Sequence, residues 1–218
     1  MKLYFQRLQR YDNTSASSLY SYKQMTAITL DLRPLVDLTD EQFYQLCQHN
    51  PDIKLERNAK GELIVMPPTG GNTGRRNSKI TYQLEAWVEK NPELGVAFDS
   101  STEFNLPSGG DRSPDAAWVK IERWEALTDK EQDAFPPLCP DFVIELRSRT
   151  DNLKPLQEKM QEYLRSGLRL GWLIDPQNQR VEIYGHGQAV EILQSPTTLS
   201  GEDVLPGFVL DLSKIFVC

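Results

Sequence analysis

The sequence is poor in cysteine and histidine. Its 218 residues include three cysteines, Cys47, Cys139 and Cys218, and two histidines, His49 and His186. An odd number of cysteines without regular spacing argues against a disulfide framework, and Cys139, beside an apolar segment, is typical of a small buried residue. Neither histidine has the spacing of a metal ligand. We therefore expect neither disulfide bonds nor histidine-bound metal in this fold.

Long hydrophobic runs are also missing. No apolar stretch reaches the roughly 20 residues that cross a bilayer, and the N-terminus lacks an apolar segment followed by a small-residue cleavage site. We therefore expect a soluble, cytoplasmic protein without a membrane partner.

Ser148 has no accompanying base signature, so serine hydrolase chemistry is not expected either.

The chain lacks an excess of positive charge. It has 31 acidic and 24 basic residues and a formal net charge of -7. A protein that binds nucleic acid through its overall electrostatic field is usually basic. Any binding of nucleic acid must therefore depend on a local basic patch or on a metal ion.

Two regions of different composition are visible. Residues 1–26 are polar, rich in serine and tyrosine, and without periodicity, which predicts a tail of low order. Residues 27–218 predict a single domain of ordinary size. Its first half predicts short elements. They are a helix from Thr39 or Asp40, a hairpin of 52–57 and 62–66, a helix at 75–89 after the glycine-rich turn 69–74, strands at 95–98, 102–106 and 114–119, and a helical segment at 122–134.

The second half predicts a strand–helix–strand unit. Apolar strands at 141–146 and 168–174 flank an amphipathic helix, and this order predicts a right-handed parallel pair in the middle of a sheet. Segments 181–184 and 189–193 then predict a β-meander on the sheet edge. A short terminal helix is predicted near 210–215.

Two acids on these strands are candidate metal ligands. Glu145 lies inside an apolar strand, where a carboxylate is costly without a partner or a metal. Asp115 follows Ser113 and Pro114 at the start of an earlier strand, where it can also be a turn residue. If the strands are neighbours, both carboxylates can bind one Mg²⁺, or Mn²⁺, which would polarise a phosphoryl oxygen and activate water.

A cation beside such a metal would orient the water or offset charge that develops on phosphorus. The residue two positions after Glu145, on the same strand face, is Arg147, which cannot act as a base but can hold a phosphate. Lys159, on the next helix, borders the apolar stripe and can reach the sheet. Its alternative role is that of a boundary lysine with its stem packed on apolar surface.

Further charged residues have two interpretations each. The glycine-rich turn with Arg75, Arg76 and Lys79 can form a phosphate site at a helix N-terminus, or it is the entry to a helix with a solvated basic face. A P-loop is excluded by the glycine spacing. Glu62 is either an additional acid at the site or an exposed hairpin residue.

The order of these motifs resembles the Uma2 family of endonucleases, also called DUF820, which is numerous in cyanobacteria and belongs to the PD-(D/E)XK nuclease superfamily. The matching segments are GELIVMPPTGG (61–71), SPDAAWV (113–119), PDFVIELRS (140–148) and LQEKMQEYLRSGLRLGWLIDP (156–176). The resemblance implies an α/β, restriction-endonuclease-like fold with a mixed β-sheet flanked by helices. It implies that Asp115 and Glu145 are the acid pair, that Lys159 replaces the strand lysine, and that Glu62 is an auxiliary acid.

The sequence and the resemblance together predict a Mg²⁺-dependent endonuclease that hydrolyses DNA phosphodiester bonds. In this prediction Lys159 assists the attack, and Arg147 with Arg75, Arg76 and Lys79 holds phosphates. Two alternatives stay open: a catalytically silent nucleic-acid-binding or scaffold protein on the same fold, and a metal-dependent hydrolase of another phosphoester. A homodimer would suit a nuclease that cuts both strands.

Overall fold

A computed structural model gives the structure of residues 26–33 and 35–217. Except for Thr26, the predicted tail lies outside these ranges. Within them, no helix is both long and apolar enough to cross a membrane.

The described residues form thirteen strands and six helices. In chain order they are β1 (Ile28–Leu30), α1 (Asp40–His49), β2 (Lys54–Arg57), β3 (Leu63–Met66), α2 (Gly71–Val88), β4 (Gly95–Asp99), β5 (Phe104–Asn105), β6 (Asp111–Arg112), β7 (Ala116–Lys120), α3 (Ile121–Glu125), α4 (Asp129–Asp133), β8 (Phe142–Leu146), α5 (Leu153–Arg165), β9 (Leu170–Asp175), β10 (Arg180–Gly185), β11 (Glu191–Gln194), β12 (Thr198–Ser200), β13 (Val209–Asp211) and α6 (Ser213–Phe216).

A mixed six-stranded sheet, which we call the central sheet, has the strand order β11-β10-β9-β8-β7-β4. Strands β8 and β9 are parallel, and the other neighbours are antiparallel. The parallel pair is joined by α5, so the predicted strand–helix–strand unit is confirmed. The meander of β9, β10 and β11 at the edge is confirmed as well.

Helix α5 has clear sequence signals at both ends. Asn152 precedes it, and Pro155 falls in the first turn, where a missing backbone N–H costs little. At the other end Gly167 has φ +102°, a conformation that favours glycine, and the Leu168 amide donates to the Tyr163 carbonyl at 3.0 Å. These signals fix where α5 starts and how the chain returns to β9.

The two faces of the central sheet pack against different elements, because successive strand residues point to opposite sides. On β8, Phe142 and Ile144 join a core with α2 and the C-terminal segment, in which the Trp172 and Phe208 rings stack at 6.0 Å. Val143 points to the other face and joins a core with Met160 of α5. Helices therefore flank the sheet on both faces, as predicted.

A second, antiparallel sheet has the order β1-β3-β2-β6-β5 and contains the predicted hairpin of β2 and β3. Helix α1 packs beside it and begins at a capping box made by Thr39 and Gln42, as the sequence predicted. Buried side chains of β2 and β6 reach α5 on the central sheet. The second sheet thus forms one wall above the face that carries α5.

Four local predictions were wrong. Helix α2 begins at Gly71, so most of the predicted glycine-rich turn is its first turn. Segments 95–98 and 102–106 do not pair with each other, because β4 pairs with β7 and β5 with β6. Segment 122–134 contains two short helices, and the terminal helix starts only after the unpredicted pair of β12 and β13.

Candidate active site

Asp115 and Glu145 are cross-strand neighbours on the central sheet. Strands β7 and β8 pair Ala116 with Ile144 and Ala117 with Val143, and one more step of this register places Asp115 opposite Glu145. Such antiparallel neighbours have Cβ atoms about 5 Å apart and point to the same face. The Leu146 amide donates to Asp115 Oδ2 at 2.8 Å, which ties the aspartate to the end of β8. The structure thus brings the predicted acid pair together.

Lys159 lies directly beside this pair. Its side chain is 7% exposed, and its Nζ lies 2.7 Å from Glu145 Oε1 and 2.9 Å from Glu56 Oε1. It also donates to the Ser113 carbonyl at 3.1 Å. The lysine on helix α5 therefore reaches the acid on strand β8, as the sequence predicted.

Other side chains fix the two carboxylates. The Tyr163 hydroxyl donates to Glu145 Oε1 at 3.0 Å, and the Asn77 amide donates to Asp115 Oδ1 at 2.7 Å. Tyr163 is one turn after Lys159 on α5, so one helix face supplies both contacts to Glu145. These bonds hold the acids in place without covering Glu145 Oε2, which makes no hydrogen bond within the described residues.

Glu56 is a site residue that the sequence analysis missed. This buried carboxylate of β2 binds Lys159 through Oε1 and Arg112 Nη1 through Oε2, the latter at 2.9 Å. Arg112 in turn donates to Glu162 of α5 at 2.8 Å. The sequence signal for Glu56 is of the same kind as that for Glu145, because it too is an acid inside a predicted strand.

The charges of this cluster are strongly shifted. Burial, with Asp115 and Glu56 nearby, raises the pKa of Glu145 to about 7 despite the opposing effect of Lys159. Burial alone would also raise the pKa of Glu56, but Lys159 and Arg112 outweigh it and lower the value to about 2. Burial acts to lower the pKa of Lys159, yet both carboxylates hold it above its ordinary value. Lys159 is therefore a fixed cation rather than a base.

The predicted auxiliary residues Arg147 and Glu62 line the same cavity, but each binds another partner. Arg147 is engaged by a carboxylate, since its Nη1 lies 2.7 Å from Asp175 Oδ2. Glu62 accepts from the Asn58 side chain at 2.6 Å within the hairpin loop. Within the described residues, Glu62 makes no hydrogen bond or ion pair with Lys159 or the acid pair, and Glu56 occupies the position next to Lys159 that an auxiliary acid would take.

The three residues of the predicted phosphate patch on α2 have different surroundings. Arg76 Nε donates to the Ile215 carbonyl at 2.8 Å, and Lys79 Nζ donates to the Lys214 carbonyl at 2.8 Å. Both side chains thus bind the C-terminal helix α6. Arg76 lines the cavity over the site, whereas Arg75 and Lys79 do not. Of the three predicted phosphate-binding residues, Arg76 thus lies at the cavity, and phosphate binding by Arg75 and Lys79 stays a prediction.

A large open cavity gives access to the acid pair. Its volume is about 1610 Å³, and Glu56, Asp115, Glu145 and Lys159 are in its wall. The hairpin of β2 and β3 forms one side, the first turn of α2 another, and the loop after β8 with α5 a third. A long polymer can enter such a cavity without being enclosed.

The donor set fits a magnesium ion. Within residues 26–33 and 35–217, no group of three or more His, Cys, Asp and Glu side chains is arranged to hold a metal. Mg²⁺, however, keeps several waters and is commonly held by one or two carboxylates together with substrate phosphate oxygens. Asp115 and Glu145 are two facing oxygen donors in an open cavity, and a cation would offset the unfavourable burial of Glu145.

Comparisons with known proteins bear on the family and the fold. The Uma2 family model, described as "Putative restriction endonuclease", matches residues 40–213. A solved structure from Anabaena variabilis ATCC 29413, described as "a putative nuclease belonging to DUF820", is similar to this chain with a TM-score of 0.64 and 21% identity. The match covers 74% of this chain and 89% of the other, and it shows a shared fold. No curated protein matches the sequence.

Proposed function

Because the chain belongs to the Uma2 family, we propose that it is a Mg²⁺-dependent endonuclease that hydrolyses phosphodiester bonds of DNA. The observation that carries this proposal is the juxtaposition of Asp115, Glu145 and Lys159 in one open cavity. Two facing carboxylates and a fixed ammonium are the groups that phosphodiester hydrolysis requires.

Each residue has a distinct role in the proposal. Asp115 and Glu145 hold the metal, which when bound supplies positive charge to a phosphoryl oxygen and makes water more acidic. Lys159 keeps its proton and donates hydrogen bonds, so it can orient a phosphate oxygen and stabilise negative charge that develops there. Its Nζ lies 2.7 Å from Glu145 Oε1, which places it next to the site where that charge would develop.

Glu56 acts as the positioning residue for Lys159. If Glu145 were to hold a metal, Lys159 would still have Glu56 and the Ser113 carbonyl as partners. Arg112 fixes Glu56 from its other oxygen, so this support does not depend on Glu145. Lys159 therefore stays beside the reacting phosphate throughout.

The proposal is tested with Asp115→Asn, Glu145→Gln and Lys159→Met. Each variant should lose at least about a hundredfold of the Mg²⁺-dependent nicking of supercoiled plasmid, since each removes a charge next to the reacting group. Glu85→Gln, an exposed neutralisation on α2 outside the cavity lining, is the matched control and should nick normally. Circular dichroism checks that all four proteins fold.

The outcomes separate the alternatives. Unchanged nicking by both acid variants would refute the site. If the wild-type protein binds DNA but cleaves nothing with Mg²⁺ or Mn²⁺, the catalytically silent binding protein is correct instead. Cleavage of a small phosphodiester or of RNA, with DNA left intact, would identify the other phosphoester hydrolase.

A further inference from the structure

The buried and the exposed charged residues of the cavity wall differ in their balance of acids and bases. Its buried acids have cationic partners: Glu56 and Glu162 bind Arg112, Glu145 binds Lys159, and Glu182 lies 2.7 Å from Arg180. The interior of the wall is thus largely neutralised by its own contacts.

The exposed charges that line the cavity have the opposite balance. Five exposed residues of the lining are basic, and Glu158 is the one exposed acid among the described lining residues. The five, which we call the basic rim, are Lys54, Lys60, Arg149, Lys154 and Arg165. The whole chain, by contrast, has a net charge of -7. Positive charge is therefore concentrated where the cavity opens to solvent.

We propose that the basic rim binds the phosphodiester backbone of the polynucleotide on both sides of the bond that is cut. The choice of partner rests on the proposed function. A row of exposed cations around an acidic site attracts a polyanion, whereas a small anionic substrate would need one compact group of cations.

Helix α5 gives this surface its direction. Lys154 and Arg165 lie near its two ends, about 16 Å apart along the axis, with Lys159 between them. Phosphates advance about 3.4 Å per nucleotide along a duplex axis, so the two residues span roughly five nucleotides. Lys154 and Arg165 project from the same face of α5, whereas Lys159 points about 140° away into the cavity, so a backbone along that face would contact a rim cation at each end of the helix.

The rim cations also have a plainer interpretation as ordinary surface charges. Arg165 in the last turn of α5 suits the helix dipole, and Lys54 donates to the Ser100 carbonyl at 2.9 Å. The two interpretations differ in the salt dependence of binding. Each phosphate contact adds about -0.9 to the slope of log K against log salt, whereas a surface charge that contacts no phosphate adds little.

The experiment compares two triple variants with the same change in net charge. Lys60→Gln, Lys154→Gln and Arg165→Gln together remove rim cations, and Lys90→Gln, Lys120→Gln and Lys130→Gln together remove exposed cations outside the cavity lining. Fluorescence anisotropy in EDTA measures the binding of labelled duplex and single-stranded oligonucleotides of several unrelated sequences. The salt concentration is varied between about 50 and 200 mM. Over this range the affinity of a protein with six phosphate contacts changes about a thousandfold.

The triple variant of the rim should have a slope of log K against log salt that is smaller in magnitude by about 2 to 3 than that of the wild type. This applies to whichever of duplex or single-stranded DNA binds more tightly, and equally to all sequences. The control triple variant should leave the slope unchanged. An unchanged slope in the rim triple, an equal loss in the control, or no salt-dependent binding by the wild type overturns the inference. Plasmid nicking is scored separately. If the slopes change as expected but no plasmid is cleaved, the endonuclease proposal is refuted and the rim proposal stands. If plasmid is cleaved but the rim variant has an unchanged slope, only the rim proposal is refuted.

Discussion

Replacing Lys159 by methionine tests the physical basis of the site. The side chain is buried and shared by two carboxylates, so its loss leaves Glu145 without its cation and Glu56 with Arg112 alone. Removing one partner of a buried ion pair commonly costs about 3–5 kcal/mol. For a domain of this size that loss lowers Tm by about 10 °C. We expect this cost at pH 8 in EDTA.

The cost should be smaller in mild acid. Because the pKa of Glu145 is about 7, this carboxyl is already protonated at pH 5.5 in the wild type, and only the contact with Glu56 is then lost. The variant raises the pKa of Glu145 further. A raised carboxyl pKa contributes stability that is present at low pH and lost as the pH rises, so the variant is weakest at high pH. About half of the loss should remain at pH 5.5.

Urea unfolding of the wild type and the variant at both pH values measures this difference. Lys154→Met, an exposed change on the same helix, is the control and should shift the free energy of unfolding by less than about 0.5 kcal/mol. An equal loss at both pH values, or a loss no larger than that of the control, would show that Lys159 does not neutralise the buried acids.

Two further predictions concern stability. Burial, with Glu56 and Asp111 nearby, holds the pKa of Glu103 well above its ordinary value. The free energy of unfolding of the wild type should therefore fall, relative to that of Glu103→Gln, as the pH rises above about 5. The expected fall is up to about 1.4 kcal/mol per pH unit. Urea unfolding from pH 5 to 8 measures this, and parallel curves for the two proteins, with exposed Glu93→Gln as control, would contradict it. A Cβ at Gly95 would lie 2.3 Å from the Val119 carbonyl oxygen, so Gly95→Ala should cost about 1–3 kcal/mol in thermal unfolding. Gly71→Ala, whose Cβ meets no atom within 4 Å, is its control, and equal Tm values would refute the clash.

The sequence predicts the acid pair and its lysine well because their signals are local. Glu145 interrupts an apolar strand, and the strand–helix–strand order places Lys159 over the same sheet. Strand pairing then brings Asp115 opposite Glu145. Alternation along each strand decides which face a residue occupies, and this pattern can be read without the structure.

Glu56 and Arg112 could not be identified in the same way. Their contacts depend on how the second sheet docks against α5, and 103 residues separate Glu56 from Lys159. The packing of the predicted phosphate patch against α6 was missed for a related reason. Arg76 and Lys79 look solvated on an isolated helix, but α6 returns from the end of the chain to accept their hydrogen bonds.

The long separation between Glu56 and Lys159 has a consequence for the emerging chain. Asp115 and Glu145 can meet once β7 and β8 pair, and α5 brings Lys159 to Glu145, but the contact of Lys159 with Glu56 forms only when the second sheet docks. Contacts between residues so distant in sequence must overcome a large loop-closure entropy. A chain whose second sheet has not docked would therefore hold Lys159 through Glu145 but not through Glu56.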